Sequence, residues 1–350
     1  MRALVFRGPG DIRVEEVPDP EPAGDEVLLG ITATGICGSD LHGYTGETGR
    51  RHPGQIMGHE TVGRIVEVGS GVTAHSALAP GMTATVNPVI GCGACPQCAA
   101  GTEQLCARRQ VIGVDPARRA AFAELMVVPT GNLVALPDSV PAEFGALVEP
   151  LSVGYHAAVR GEVTPEDRVL VIGGGPIGQA CALAARRLGA DQVVVSELSA
   201  SRQALVSAIG FPVVDPGVAD DLAEAVRTWL GGPATVVLDA VGTSDSLATC
   251  FAASSLGART VLVGMGSPKV ALEAYAVSTY ERSLVGSFCY PSNEFRETAE
   301  WVATRPPGLE HLIDGRTSLA DAPGVFAGLA AGELTANKVL VMCQEHGEAR

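Results

Sequence analysis

The apolar run Val-Leu-Val-Ile at 169–172 leads straight into Gly173-Gly174-Gly175-Pro176-Ile177-Gly178, and then into a helical pattern that stops at Gly189. A strand, a tight glycine turn and a helix in that order leave few folds open. In a G-x-G-x-x-G turn the first glycine allows the sharp bend. The second lets backbone approach a pyrophosphate, and the third lets the helix pack on the strand. Strand-length and helical segments then keep alternating: strand 192–196, helix 201–209, strand 212–214, helix 219–230, strand 235–239, helix 244–253 and strand 260–263. That rhythm predicts an α/β architecture with a doubly wound parallel sheet of the Rossmann kind.

A glycine-rich turn alone is a common structural device. Here the second strand ends at Glu197, 19 residues after Gly178. An acid at about that distance binds the ribose hydroxyls of an adenine dinucleotide. Gly173, Gly175, Pro176, Ile177, Gly178 and Glu197 are therefore candidate cofactor-binding residues, with phosphate at the helix N-terminus. The Glu197 carboxylate would repel a 2′-phosphate, which favours NAD over NADP. Arg202, one helical turn further on, either stacks on the adenine and softens that preference or is an ordinary solvated side chain.

The first 150 residues read differently. Apolar runs at 3–6, 27–33, 61–68, 82–86 and 123–128 are punctuated by Gly and Pro turns, the pattern of a compact β unit with long loops. After about residue 287 the alternation fades to one helix, 292–304, and a final strand, 338–342. With 46% apolar and 18% charged residues the chain suits globular domains and excludes bulk disorder. A net charge of −15 argues against nucleic acid and against an anionic membrane surface. No stretch reaches the length of an apolar membrane span, and the first residues break into Gly, Pro and charge before a secretion signal can form. The expectation is a cytoplasmic protein. Only two of the 24 bases are lysines, Lys269 and Lys338, and no function follows from that alone.

Four of the nine cysteines, Cys92, Cys95, Cys98 and Cys106, fall within 15 residues. Four thiolates close a tetrahedral zinc shell and leave no place for water, so such a metal is structural. The plainer alternative is four free thiols in one Gly/Pro-rich loop. Cys181, Cys250, Cys289 and Cys343 are scattered and read as core thiols.

A second donor set is spread over three segments: Gly35-Ile36-Cys37-Gly38-Ser39-Asp40-Leu41-His42, Gly58-His59-Glu60, and Val148-Glu149-Pro150-Leu151-Ser152-Val153. A lone His or Glu is usually structural. Together they offer one thiolate, one imidazole and two carboxylates, enough for an open zinc site with room for substrate. On these segments, the four-cysteine lobe, GGGPIG and the terminal NKVLV, the chain resembles the zinc-dependent medium-chain alcohol dehydrogenases over nearly its whole length. Within them it is most similar to the polyol branch of sorbitol, butanediol and threonine dehydrogenases.

The resemblance implies a GroES-like β-barrel catalytic domain built from 1–150 and 288–350, with the zinc lobe at about 91–107 and the Rossmann domain, 151–287, inserted between. It implies two zinc ions per chain, Cys37 and His59 as catalytic ligands, and Glu60 and Glu149 as carboxylates of which one sits outside the shell or exchanges. It implies Ser39 at the substrate hydroxyl and His42 passing the proton to solvent, where the alternatives are a turn cap and a surface imidazole. Asp40 would support the loop. The implied reaction is hydride transfer between a secondary alcohol, a polyol or vicinal diol, and NAD. A cyclitol, aminocyclitol or amino-alcohol substrate shares every motif, and a non-catalytic zinc-stabilised NAD-binding protein is a remote alternative. The family implies a homo-oligomer, dimer or tetramer. The segment 115–122 lacks the Gly usual in relatives before the Ala-Phe-Ala-Glu run, and its Arg118 and Arg119 would suit an anionic substrate or be merely solvated. His52, His75, His156, His311 and His346 are given no role.

Overall fold

A computed structural model describes residues 1–72 and 78–344, so His75 and His346 lie outside the described residues. The chain divides into two compact units, Met1–Glu149 with Tyr290–Arg350, and Pro150–Cys289.

The first unit is organised around one long strand, Glu26–Gly35. Its apolar side chains are buried on both faces along most of its length, which is why the run is nearly continuous rather than alternating. Glu60–Val68 pairs antiparallel along one edge. The other edge is shared: Leu125–Pro129 takes the start of the strand and Val339–Met342 its end. The sheet continues to Gly315–Ser318 on one side and to Thr83–Val86 and Leu133–Ala135 on the other. Leu29, Ile31, Met57, Ile65, Phe122 and Phe326 form the centre of the core. Phe122 meets Phe326 edge-on, with centroids 5.4 Å apart. One register decides the chemistry: Gly35 lies between Glu60 on one neighbour and Leu340 on the other.

The second unit is a six-stranded, all-parallel sheet. Its order is Val213–Val214, Gln192–Ser196, Arg168–Ile172, Ala234–Asp239, Ser254–Leu262, Ser283–Gly286. In order of appearance along the chain that is 3-2-1-4-5-6, with the switch point beside Arg168–Ile172, where open α/β sheets bind ligands. The helix Leu222–Leu230 starts three residues later than the apolar pattern suggests, because Asp221 caps it by accepting the Glu224 N–H at 3.1 Å. The strand Ser254–Leu262 begins six residues earlier than its apolar run, directly after the helix Ser244–Ala253. Asp11–Glu16, Gly315–Ser318 and the helix Ala322–Ala330 have weak periodicity, and only the structure reveals them. Cys181, Cys250 and Cys343 are buried, and burial pushes the Cys181 and Cys343 thiols up to about 12. Cys289 is different: it is half-buried with φ of +51°, not a core thiol. Among the described residues no helix is long and apolar enough to cross a membrane.

Candidate active site

Cys37 follows the long strand and caps the helix Gly38–Tyr44. Its backbone N–H donates to Asp40 Oδ2 at 3.1 Å. Glu60 opens the neighbouring strand, and His59 directly precedes it. These elements bring one donor atom each of Cys37, His59 and Glu60 within 4.8 Å of one another. Asp40 is completely buried, and its Oδ1 lies 3.6 Å from His59 Nδ1; neither atom has a hydrogen-bond partner among the described residues. A carboxylate on the Nδ1 side leaves Nε2 as the imidazole's available donor, the arrangement usual behind a metal-binding histidine. Burial disfavours charge on His59, yet Asp40 and Cys37 hold its proton affinity well above the ordinary value. The carboxylates and the thiol of this site attract positive charge.

Two cations already belong to it. Lys338 is buried, and its Nζ donates to both Glu60 oxygens at 2.6 and 2.5 Å and to the Ile36 carbonyl at 3.3 Å. It reaches Glu60 over Gly35: a Cβ there would stand 2.0 Å from Glu60 Oε2 and 3.1 Å from Lys338 Cδ, so only glycine leaves room. Burial alone would lower the Lys338 ammonium, but Glu60 and then Cys37 outweigh it and the net shift is upward. Asp314 accepts the backbone N–H of Asn337 and Lys338, both at 2.7 Å, and so sets the start of that strand. Arg51 is half-buried near Asp40 and Cys37 and donates to the Ser39 and Val114 carbonyls at 3.5 and 3.4 Å. Composition hides both roles, although Lys338 lies in the terminal NKVLV that carries part of the family resemblance.

Glu149 is 7% exposed and does not join the three-donor group. Its Oε1 accepts a 3.0 Å hydrogen bond from the Tyr290 hydroxyl. Burial pushes its carboxyl up to about 7, with His59 opposing and Glu60 adding to the rise. Ser39 is half-buried on the same short helix as Cys37's cap. His42 is exposed and its Nδ1 lies 2.6 Å from Glu47 Oε2. Among the described residues no hydrogen bond joins Ser39 to His42. The guanidinium groups of the Arg118–Arg119 pair are taken up locally, Arg118 by Gln110 at 3.1 Å and Glu26 at 3.5 Å, and Arg119 by the Pro18 carbonyl at 2.9 Å.

The second thiol set is compact. One sulfur each of Cys92, Cys95, Cys98 and Cys106 lies within 4.8 Å of the others, with Cys95–Cys98 at 3.5 Å and Cys92–Cys98 at 4.0 Å. A zinc–sulfur tetrahedron has edges of roughly 3.8 Å, so these sulfurs fit one ion. The Ala94 backbone N–H, helped by Cys106 and Arg108, draws the Cys92 thiol down to about 6. Arg108 Nη2 reaches that sulfur at 3.1 Å.

In the parallel-sheet unit the glycine turn has the form a pyrophosphate requires. A Cβ on Gly178 would lie 1.7 Å from the Gly173 carbonyl, so the helix Pro176–Arg187 can meet the strand that closely only with glycine there. Glu197 is buried at the end of its strand and accepts the N–H of Gly174 and of Ser199, each at 2.7 Å. Arg202 is exposed and makes no hydrogen bond or ion pair among the described residues. Two supports escaped the sequence reading. Gln179 donates to the Gly174 carbonyl at 2.7 Å, and Asp239 accepts the N–H of Val241 and Gly242 and the Ser246 hydroxyl at 2.8–3.0 Å.

Residues 23–138 match the alcohol dehydrogenase GroES-like domain, and 176–304 match the zinc-binding dehydrogenase domain. Sorbitol dehydrogenase of Ovis aries is 34% identical over 97% of this chain and 96% of its own. A chain of Sinorhizobium meliloti 1021, described as a zinc-binding dehydrogenase and solved bound to NADP, superposes with a TM-score of 0.88 at 33% identity over 97% of this chain and 98% of its own. Galactitol-1-phosphate dehydrogenase of Escherichia coli gives 0.89 at 29% identity over 98% and 100%. With two domain matches, end-to-end relatives and two thiol-containing donor clusters of the right composition, the chain belongs to the zinc-dependent medium-chain alcohol dehydrogenases, on the branch that holds the sorbitol dehydrogenases.

Proposed function

We propose that the protein oxidises a secondary alcohol, a polyol or vicinal diol, with NAD as hydride acceptor, and that it carries two zinc ions per chain. The grouping of Cys37, His59 and Glu60 within 4.8 Å carries this reading. Three protein donors of this kind leave one tetrahedral position for substrate. When bound, zinc supplies Lewis acidity to the substrate hydroxyl and the nicotinamide takes up hydride. Cys37, His59 and Glu60 hold the metal, and Asp40 orients His59. Lys338 shares the charge of Glu60, so that fewer net negative charges blunt the metal. Ser39 receives the hydroxyl proton, and the exposed His42–Glu47 pair is where it meets solvent. Cys92, Cys95, Cys98 and Cys106 hold the structural ion.

Among the described residues no strand pairs with the outer edge of Ser283–Gly286; Leu284 is exposed on it and Phe288 just beyond it, which suits a homo-oligomer. Zinc analysis together with a screen of polyols, diols and cyclitols, followed by NADH absorbance, tests the whole reading. Two zinc per chain and turnover with at least one of these classes is the expected result. One zinc and no turnover would leave a zinc-stabilised nucleotide-binding protein instead.

The NAD preference rests on Glu197. In this reading its charge opposes a 2′-phosphate, and two backbone N–H groups hold the buried carboxylate in place. Replacing Glu197 with Ser is expected to raise the ratio of kcat/KM for NADP to that for NAD by about tenfold or more, equivalent to ~1.4 kcal/mol. A wild-type enzyme that favours NADPH over NADH would remove Glu197 from this role.

A further inference from the structure

Two buried carboxylates flank the Cys37–His59 pair, and they are anchored differently. Glu60 gives both oxygens to Lys338 and stays grouped with Cys37 and His59. Glu149 gives Oε1 to the Tyr290 hydroxyl at 3.0 Å and stays outside that group. Its other oxygen makes no hydrogen bond among the described residues. Tyr290 is 0% exposed, and its ring stacks on Phe295 with centroids 5.7 Å apart and planes 24° from parallel. The phenol is therefore fixed, and a hydrogen bond from it to a buried carboxylate is of the strong, charge-assisted kind.

We propose that Tyr290 is a positioning residue that holds Glu149 out of the metal's coordination shell and thereby keeps the substrate's coordination position open. A thiolate, an imidazole and two carboxylates would close a tetrahedron, and a closed shell is a structural site, not a catalytic one. Glu149 is buried in the same unit as His59 and Glu60, and its bond to Tyr290 commits one of its two oxygens to the phenol. The Tyr290 hydroxyl is the sole side-chain group hydrogen-bonded to Glu149 among the described residues. The proposal rests on the dehydrogenase reading for the presence of a cation at Cys37–His59–Glu60.

Tyr290→Phe tests it, because the ring and its stack on Phe295 remain and one O–H is lost. The cobalt(II)-substituted enzyme reports coordination through its visible absorption, and a chelator reports metal retention. In Tyr290→Phe, retention by the catalytic site should increase by about tenfold, KM for the alcohol should rise by about the same factor, and the substrate-induced change in the cobalt spectrum should need about tenfold more alcohol. In a Glu149→Gln background, Tyr290→Phe should change none of these by more than about twofold, since a neutral amide is a poor metal ligand. Weaker or unchanged retention in Tyr290→Phe, or equal effects in both backgrounds, would overturn the proposal while leaving an active wild-type dehydrogenase in place. A wild-type protein whose cobalt spectrum never responds to alcohol would overturn the dehydrogenase reading and this proposal with it.

Discussion

Replacing His59 with Ala is expected to lower kcat/KM for alcohol oxidation by roughly a thousandfold or more. Lewis-acid stabilisation of charge on the reacting oxygen is worth several kcal/mol, and about 4 kcal/mol corresponds to three decades of rate. His59 is 7% exposed, backed by Asp40 at 3.6 Å, and is the one imidazole of the three-donor group. Without it a thiolate and a carboxylate already shared with Lys338 remain, which is too few donors to retain zinc against a chelator. Metal analysis should fall from two ions per chain to one. NADH binding, read by fluorescence titration, should be unchanged, because the glycine turn and Glu197 lie in the parallel-sheet unit, Pro150–Cys289. Activity within tenfold of wild type in the metal-analysed variant would contradict the assignment of His59.

The Lys338–Glu60 pair should give the largest effect on stability. In the metal-free protein, replacing Lys338 with Met leaves the buried Glu60 carboxylate beside Cys37 without its hydrogen-bonded ammonium. Breaking a buried pair from one side costs about 3–5 kcal/mol, far more than the pair's net contribution when intact. For a unit of this size that corresponds to a fall in the thermal midpoint on the order of 10 °C. Adding Glu60→Gln to Lys338→Met removes the orphaned charge and should restore most of the loss. That recovery is the informative half of the experiment, since simple loss of packing by the lysine stem would not be relieved by it. A midpoint for Lys338→Met within a degree or two of wild type would show that Glu60 does not depend on this ammonium. The neighbouring glycine makes the same point from the backbone side, because any side chain at position 35 would occupy the space the Glu60 carboxylate uses.

Much of this molecule is local in origin and so could be read from the chain alone. The alternation of strand and helix between about 169 and 263 reports burial on both faces of a parallel sheet. The glycine turn reports a backbone approach that a Cβ would block. Cys92, Cys95, Cys98 and Cys106 are close in sequence, so their spacing alone places the thiols around one point. Segment ends were less legible, as with the helix Leu222–Leu230, because a cap such as Asp221 depends on one side chain rather than on periodicity.

What the chain alone could not decide is which distant groups meet. Cys37, His59 and Lys338 are separated by up to 301 positions, and nothing in their local sequences states their distance. Antiparallel register on both edges of Glu26–Gly35 brings them together, with Gly35 as the gap through which Lys338 reaches Glu60. The same holds for Tyr290 and Glu149, whose hydrogen bond separates two carboxylates that look equivalent as letters. Residue types announced the chemistry because a thiolate or imidazole carries its donor wherever it sits. Charge balance, ligand count and the open coordination position are properties of pairs and triplets, and those exist only once the sheet has closed its register.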